Sequence, residues 1–549
     1  MDVNAIIRRH GELENNRSGF ESHWQEILKR VRPQRDIFHG NQPQQGQKVA
    51  HQVFDSTAEL ALGRFAASME SITTPAGERW HKLVPQYPLT EDKETAEWLE
   101  AVTDQLFRVR YSPDSGFPEQ ASEFYQDLGS IGTACMFVDD DRAKRTIRYR
   151  TIHMSQIYLA QDFQGRVDTV HRLEPMTARQ IIQQFGADKV TDRIREADAK
   201  GSEAPYRVLH CVYPRADVQR WRWDYKGMPW ASTYILLDEK HVLEEGGYHD
   251  FPYMVGRYVV TTGEVYGRSP AMSALPDIKA VNEMEKTVLR VGQRVADPPL
   301  LALDDQSLGS FQIRPGAIIP GGIDINGRAT VQALETGANF PVTLELAERR
   351  RKAINDHFLV TLFQILLEDR SAMTATEVLQ RAREKGSLMA PAFQRLSSEF
   401  LGPLVTREIG IISRANALPQ PPQAWIDMGA SYEIEYHNEI VRSQKAGEAV
   451  GVMQLMEQAS VIAQVKPEIL DRIDYDEALR IMGEATNVPQ SVLRSDEEVA
   501  ALRGQRAQAE QASQLLQAAD IASGAAKNMA QAQALAGTPG AALLPTGSA

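Results

Sequence analysis

The chain has 549 residues and a formal net charge of −13, with 73 acidic and 60 basic side chains. This length predicts roughly three or four domains with an ample hydrophobic core. The negative balance excludes a protein that holds nucleic acid tightly through many phosphate contacts. No apolar run approaches the ~18 residues of a membrane span, and residues 1–30 lack a signal-like apolar region, so we expect a protein made in the cytoplasm without membrane association.

The start of the chain predicts two core-facing helices. Between residues 2 and 110, large apolar side chains recur at the spacing of one helical face, first around Trp24 and again around Phe65.

Between Thr133 and Tyr266 the pattern changes to that of strands. The runs TACMFV and TIRYRTI flank the polar turn DDDRAKR and predict a hairpin, and QIYLA, RVDTVHRL, YRVLHCVY and STYILL predict further strands. A short helix from Thr177 to Phe185 interrupts them and stops at Gly186. We therefore expect residues 1–266 to form one mixed α and β domain.

A long helix with marked ends follows within Gly267–Leu301. Ser269 suits the N-cap, Pro270 the first helical position, and Pro298 forbids continuation. About 28 residues at ~1.5 Å each give a rod of roughly 40 Å. Its narrow apolar seam is typical of packing against neighbouring helices in an array rather than of burial in a core. The seam consists of Val281, Met284, Val288, Val291 and Val295.

A second long helix is predicted over residues 341–368. Residues 298–340, which precede it, are rich in Gly and Pro and predict a small β-rich insertion. The helix carries an apolar stripe that includes Ile354 and Phe358. It also carries a charge run, made of Glu348, Arg349, Arg350, Arg351 and Lys352. We favour a solvated face for this run over specific ion pairs between subunits or DNA contact.

The next segment, Leu367–Met373, predicts a polar loop. Thr374 and Glu377 form a capping box that starts a new helix, which resumes after an interruption near Gly386. The Pro-rich linker LPQPP and the strand SYEIEYH complete residues 374–437.

Residues 438–519 predict helices only. Pro467, Pro489 and the capping box of Ser495 and Glu498 mark helix starts. Beyond them, residues 520–549 are rich in Ala, Gln and Gly with few large apolar side chains, so we expect a disordered tail.

Signatures of catalysis are missing from the sequence. It has no G-x-x-x-x-G-K-[ST] motif, no G-x-S-x-G elbow and no His-Glu-x-x-His site, and its 12 histidines lack metal-ligand spacing. Cys135 and Cys211 each lie alone in strand-like sequence, which favours small buried residues over a disulfide or metal site and fits a reducing compartment. We expect no cofactor and no enzyme activity.

Two short motifs permit alternative interpretations. Asp139, Asp140 and Asp141 resemble the carboxylate clusters that hold metals in nucleases, but the tip of the predicted hairpin favours turn residues there. The run RWRW, Arg220–Trp223, mixes cations and aromatics as a single-strand-binding protein does. We favour alternation on a strand, with both tryptophans on one face.

Five segments, taken in order between residues 19 and 422, carry a family resemblance. They are FAASMESITTPAGERWHKL, YRTIHMSQIYLAQDFQGRVDTVHRL, GRSPAMSALPDIKAVNEMEK, MTATEVLQRAREK and FQRLSSEFLGPLVTREIGIISRANALPQPP. Together with the order of the predicted elements, they resemble the head-to-tail connector, or portal, family of short-tailed bacteriophages. The resemblance is specific because several motifs recur in order.

The resemblance implies a mainly helical α+β portal fold and a ring of about twelve copies at one capsid vertex, the conduit for DNA packaging and ejection. An acidic channel fits this role, since it repels phosphate and lets the duplex slide. The implied partners are the major capsid protein, a scaffolding protein, the terminase packaging motor, a tail or adaptor protein and double-stranded DNA, bound transiently and non-specifically. The implied location is the virion. The implied parts are a wing (1–266 and 374–437), a stem (267–297 and 341–368), a clip (298–340) and a crown (438–519).

The resemblance also implies that the loop after the second stem helix is the tunnel loop, which reaches into the DNA channel. Its residues are Glu368, Asp369, Arg370, Ser371, Ala372 and Met373. An ordinary helix connection facing solvent is the alternative for this loop. For the whole chain, the alternatives are a DNA-processing nuclease that uses the Asp139 cluster and an internal virion or scaffolding protein.

Overall fold

The computed structural model shows a mainly helical α+β protein, which confirms the predicted fold class. It describes residues 2–35, 37–38, 53–86, 93–141, 144, 146–297, 299–302, 318, 322–323, 325–333, 340–361, 363, 390–427, 429, 431–437, 439–463, 466–486, 494 and 496–536. Among these residues, no helix combines the length and the apolar character needed to cross a bilayer.

Four helices and a short strand open the chain: α1 (Val3–Val31), α2 (Thr57–Thr73), β1 (His81–Pro85), α3 (Lys93–Arg110) and α4 (Phe117–Ile131). Asp2 caps α1 by accepting a 3.0 Å hydrogen bond from the Asn4 N–H group. Trp24 and Phe65 are buried in one core, which confirms the two predicted core-facing helices. The sequence analysis missed β1.

The strands that follow are β2 (Thr133–Asp141), β3 (Thr146–Ile152), β4 (Ile157–Gln161), β5 (Val167–Thr177), β6 (Pro205–Pro214), β7 (Trp230–Leu236), β8 (His241–Tyr248) and β9 (Tyr253–Arg257). They form a three-stranded sheet in the order β3-β2-β9 and a five-stranded sheet in the order β4-β5-β6-β7-β8, both antiparallel. Between β5 and β6 lie α5 (Ala178–Phe185) and α6 (Asp192–Ala199). Helix α5 ends at Gly186, as predicted.

The register of the first hairpin corrects the interpretation of the acidic cluster. Strand β2 continues through Asp141, and Asp139 lies opposite Arg148 of β3. Asp139, Asp140 and Asp141 are therefore strand residues, and their placement in the turn was wrong. A basic side chain across the ladder stabilises an acidic residue that by itself disfavours a strand.

A helical hairpin follows, made of α7 (Pro270–Ala296) and α8 (Phe340–His357). Between them, β10 (Leu300–Ala302) pairs with β11 (Val331–Ala333), which confirms β structure in the described part of the insertion.

Helix α8 is shorter than predicted. It ends at His357, and Leu359 adopts a left-handed φ of 57°, so a single helix over residues 341–368 is wrong. The turn brings both Phe358 and Phe363 within 6.4 Å of the Phe65 ring. Residues five apart lie about 140° apart around a straight helix, which would not place both on one ring.

The chain then returns to the N-terminal region. Residues 390–396 are helical and continue through a π-helix, Ser397–Leu401, into α9 (Gly402–Arg414), which confirms the helix predicted there. After α10 (Gln423–Asp427), the predicted strand β12 (Tyr432–Tyr436) pairs with β1. The capping box of Thr374 and Glu377 lies outside the described residues.

A buried ion pair joins α9 to the same region. The Arg110 guanidinium contacts the Glu408 carboxylate at 3.0 and 2.5 Å, and the Tyr149 hydroxyl donates a 2.6 Å hydrogen bond to it. Burial by itself lowers the pKa of Arg110, but the charge and hydrogen bonds of Glu408 outweigh burial and raise it. Arg110 therefore keeps its positive charge inside the core.

The C-terminal part is helical, as predicted: α11 (Glu439–Ala463), a 3₁₀ helix (Pro467–Arg472), α12 (Tyr475–Thr486) and α13 (Asp496–Ala536). Disorder from residue 520 was wrong as far as Ala536, because Ala and Gln favour a helix even where few apolar side chains are available for burial. Pro489, Ser495 and residues 537–549 lie outside the described residues.

Candidate subunit interface on the helical hairpin

The start of α7 is fixed to the end of α4. The Ser269 hydroxyl accepts a 3.0 Å hydrogen bond from the Met272 N–H group, which confirms the predicted N-cap, and donates a 2.7 Å bond to the Ser130 carbonyl. Gly267 approaches Gly132 so closely that a Cβ on Gly267 would lie 2.3 Å from the Gly132 carbonyl oxygen. Only glycine fits there, so the backbone contact sets the direction of α7.

Arg351 holds α8 to two other elements. Its guanidinium pairs with Asp55, just before α2, at 2.9 Å and with Glu285 of α7. Burial alone lowers the pKa of Arg351, but its hydrogen bonds to Asp55 and Glu348 raise it above the ordinary value. The sequence analysis missed this contact because Asp55 and Arg351 are 296 positions apart.

The charge run of α8 contains both exposed residues and residues that form ion pairs with other elements. Arg349 and Lys352 are exposed, as a solvated face predicts. Arg350 instead pairs with Asp277 of α7 at 2.6 Å, and Arg351 is half-buried. Arg350 is exposed as well, so the solvated-face interpretation was wrong only for Arg351, because α7 and the segment before α2 present carboxylates to it.

The predicted seam changes from buried to exposed along α7. Val281 is buried in the main core of its own chain. Met284, Val288 and Val291 are half-buried, and Val295 is 55% exposed. The described part of the chain therefore covers the beginning of the seam and leaves its end uncovered.

Helix α8 exposes apolar side chains at the same end of the hairpin. Leu344 and Leu346 are exposed there, and so is Leu289 of α7. We call residues 288–296 and 340–346 the distal hairpin. Its apolar surface is broader than the predicted seam, and surfaces of this kind mark contact sites with other proteins.

The structure does not describe the predicted tunnel loop. Glu368, Asp369, Arg370, Ser371, Ala372 and Met373 all lie outside the described residues, and their role stays a prediction.

The run Arg220–Trp223 is not a strand. Strand β6 ends at Pro214 and β7 begins at Trp230, and both tryptophans of the run are exposed in the connecting loop. The strand interpretation was wrong because Asp224 accepts the Lys226 N–H group and pairs with Arg222, which folds this segment into a compact turn.

Cys135 and Cys211 are buried and not bonded to each other, which confirms small buried residues. Burial raises the pKa of both thiols, so they stay protonated. Within the described ranges, no group of three or more His, Cys, Asp or Glu side chains is arranged to hold a metal ion.

The sequence matches a family of known proteins. The model of the family "Bacteriophage head to tail connecting protein" matches residues 3–493. The chain therefore belongs to the family of bacteriophage head-to-tail connecting proteins, which have the portal function and lie in the virion.

Two curated relatives match nearly full length. The probable portal protein of Bordetella phage BPP-1 is 29% identical over 536 residues, covering 94% of each chain. The portal protein of Salmonella phage epsilon15 is 28% identical over 534 residues, covering 96% of this chain and 95% of the relative.

Similar solved structures come from gene transfer agents. A chain in the neck of an empty particle has a TM-score of 0.36 at 12% identity, covering 78% of this chain and 90% of its own. A chain in a native virion has a TM-score of 0.34 at 13% identity, covering 78% and 89%.

Proposed function

We propose that copies of this chain form a closed ring of about twelve subunits at one capsid vertex, through which double-stranded DNA is packaged and ejected. The observation that carries this proposal is the uncovered apolar surface of the distal hairpin. A subunit can bury that surface against two neighbours through two unlike faces, and such heterologous contacts generate closed rings.

The charge of the chain supports a conduit. With a net charge of −13, a ring of these chains offers passing phosphate no general attraction. The α7–α8 hairpin would be the stem, residues 298–340 the clip that meets the packaging motor and later the tail, and residues 438–519 the crown. The capsid protein and a scaffolding protein would contact the ring from outside.

Native mass spectrometry of the purified protein tests the ring. We expect closed rings near twelve copies, with some neighbouring ring sizes, and expect Val288→Asp with Val295→Asp to leave monomers with an unchanged circular dichroism spectrum. Val259→Asp is the matched control, because Val259 is 50% exposed but lies outside the hairpin. A wild-type protein that stays monomeric at micromolar concentration contradicts the ring.

The tunnel loop is tested by Asp369→Ala with Arg370→Ala. These opposite charges would permit brief phosphate contact without net attraction, so we expect intact rings with less DNA packaged or retained. Deletion of residues 369–372 should have a larger effect. Normal packaging and retention in both variants would count against a channel-facing loop.

The clip is tested by exchanging residues 298–340 for a short Gly-Ser linker. We expect the rest of the chain to fold and DNA packaging or tail attachment to stop, because the insertion would be the surface that meets these partners. If both processes survive, the clip assignment is wrong.

The proposal assigns assembly, and no catalysis, to the chain. Asp139→Asn, Asp140→Asn and Asp141→Asn together remove the charge of the acidic strand end, and we expect no change in DNA integrity with added Mg²⁺ or Mn²⁺. Metal-dependent cleavage by the wild type that disappears in this triple variant would favour the nuclease instead.

A further inference from the structure

Two connections leave the same end of the five-stranded sheet. The register pairs Val170 with Val212 and Pro214 with Trp230, so the β4–β5 turn (residues 162–166) and the β6–β7 connection (residues 215–229) are neighbours. Strands in a sheet lie ~4.8 Å apart, which puts the bases of the two connections about 10 Å from each other. We call residues 215–229 the Trp loop.

This end of the sheet carries the most exposed large aromatic side chains among the described residues. Trp221 is 76% exposed, Trp223 is fully exposed, and Phe163 in the neighbouring turn is 95% exposed. Large aromatic rings gain much from burial, and a soluble protein seldom leaves several of them together in water. The group therefore has the composition of a contact surface.

The Trp loop is held in one conformation by its own hydrogen bonds. The Gln219 N–H group donates to the Lys226 carbonyl at 3.1 Å, and Arg222 pairs with Asp224 at 2.5 Å. A Cβ on Gly227 would lie 2.1 Å from the Arg222 carbonyl oxygen, so the loop closes tightly. At its base, the Arg215 guanidinium donates to two backbone carbonyls at 3.2 Å.

A loop ordered in this way presents its tryptophans on a backbone that has little conformational entropy left to lose on binding.

The two ends of this sheet differ in charge. The Trp loop contains four basic and two acidic side chains, a net charge of +2. At the opposite end, residues 178–204 and 237–240 contain seven acidic and six basic side chains, a net charge of −1. Four of those six basic residues pair with acidic residues of the same chain. The opposite end therefore exposes acidic side chains such as Asp188 and Glu203.

We propose that the Trp loop and Phe163 of one subunit bind the acidic end of the sheet of the next subunit in the ring. This contact rests on the proposed ring and adds a second interface to the distal hairpin. Its two halves are unlike, as a heterologous contact requires. Tryptophan and arginine are the side chains most enriched among residues that dominate binding energy.

The aromatic part of the contact is tested by Trp221→Ser with Trp223→Ser. We expect the protein concentration at half-assembly to rise at least about tenfold, because a few central aromatic residues carry most of the energy of a protein interface. Trp221→Phe with Trp223→Phe keeps aromatic rings in place and is the matched variant, for which we expect a much smaller rise. Circular dichroism and thermal unfolding of the monomer should match the wild type in both.

The charge part is tested by exchange. Arg220→Glu alone, or Asp188→Lys with Glu203→Lys alone, should each weaken assembly, and the three substitutions in one chain should restore it. Restoration is expected only where another copy of the same chain is the partner.

Other results would overturn the contact, and each points to a different explanation. If the wild type forms rings and the variant with Trp221→Ser and Trp223→Ser has the same half-assembly concentration, the contact is rejected and the ring proposal stands. A wild type that stays monomeric rejects the ring itself. If oligothymidylate binds the wild type and not this double variant while assembly is unchanged, the loop is a single-stranded nucleic-acid site instead. Unchanged rings that fail to enter capsids assign it to another virion protein.

Discussion

The N-terminal region and the distal hairpin differ in how far one chain buries their apolar side chains. In the N-terminal region, helices and sheets share one core that also encloses charged groups such as Arg110 and its partner Glu408. In the distal hairpin, the later turns of α7 and the first turns of α8 leave leucine and valine side chains exposed. The first region is complete within one chain, and we infer that the second is completed by other subunits.

The largest expected effect breaks the self-contained region. Glu408→Ala leaves Arg110 buried and without its counter-charge, which should lower the free energy of unfolding by about 3–5 kcal/mol. Chemical denaturation of the monomer measures it. Glu264→Gln is the control, because the pair it removes, with Arg268, lies at the surface and should be worth less than ~1 kcal/mol. Equal effects of the two substitutions would show that the Arg110 pair is not buried as described.

The next effect compares the two ends of one seam with the same substitution. Val281→Ala should cost about 1–3 kcal/mol of monomer stability, because it empties space in a filled core. Val295→Ala should cost the monomer less than ~0.5 kcal/mol, since its site is exposed, and should raise the half-assembly concentration. Denaturation and native mass spectrometry separate the two readouts. A monomer destabilised equally by both would remove the distinction between the regions.

The last effect is spread over a range of pH and concerns the N-terminal region. The His10 ring on α1 lies 4.6 Å from the Tyr158 ring and 5.7 Å from the His171 ring. Burial, assisted by the charge of Arg17, lowers the pKa of His10 from 6.5 to about 4. As the pH falls below 6.5, the unfolded chain takes up this proton first. Stability is therefore lost between pH 6.5 and about 4, by up to ~1.4 kcal/mol per pH unit.

His10→Phe should make the loss of stability with falling pH shallower by about that amount, measured by denaturation at a series of pH values. His249→Phe is the matched control, because His249 is exposed, and should leave the slope unchanged. Identical slopes for both variants and the wild type would mean that His10 is not kept neutral by burial.

Local signals were enough to predict the elements whose ends are encoded next to them. Ser269 and Pro270 mark the start of α7, and Gly186 marks the end of α5, because caps act through hydrogen bonds within a few residues. The same reasoning failed at the end of α8. The helix stops before Phe358, and the turn that follows lets Phe358 and Phe363 both contact the Phe65 ring. It also failed for β1, a short strand that is stabilised by pairing with β12, far away in sequence.

The candidate interface was predictable only in part. The spacing of Val281, Val288 and Val295 identified α7 as a helix with a narrow apolar face, but every seventh residue looks alike in sequence. The fold decides that the first of these is buried in its own chain and the last is exposed. Likewise, RWRW alternates as a strand does, and its exposure in a loop follows from side-chain pairing around Asp224.

The sequence by itself determined the family, through several segments that resemble it in order. It also determined the mixed α and β class and the long capped helix, because these depend on periodicity and neighbouring residues. The tertiary structure alone decided which apolar and charged side chains find partners within the chain. Arg351 meets Asp55, and Glu408 meets Arg110, across separations of 296 and 298 residues. Contacts of that range are set by the packing of whole elements, and the surfaces that packing leaves uncovered are those we assign to neighbouring subunits.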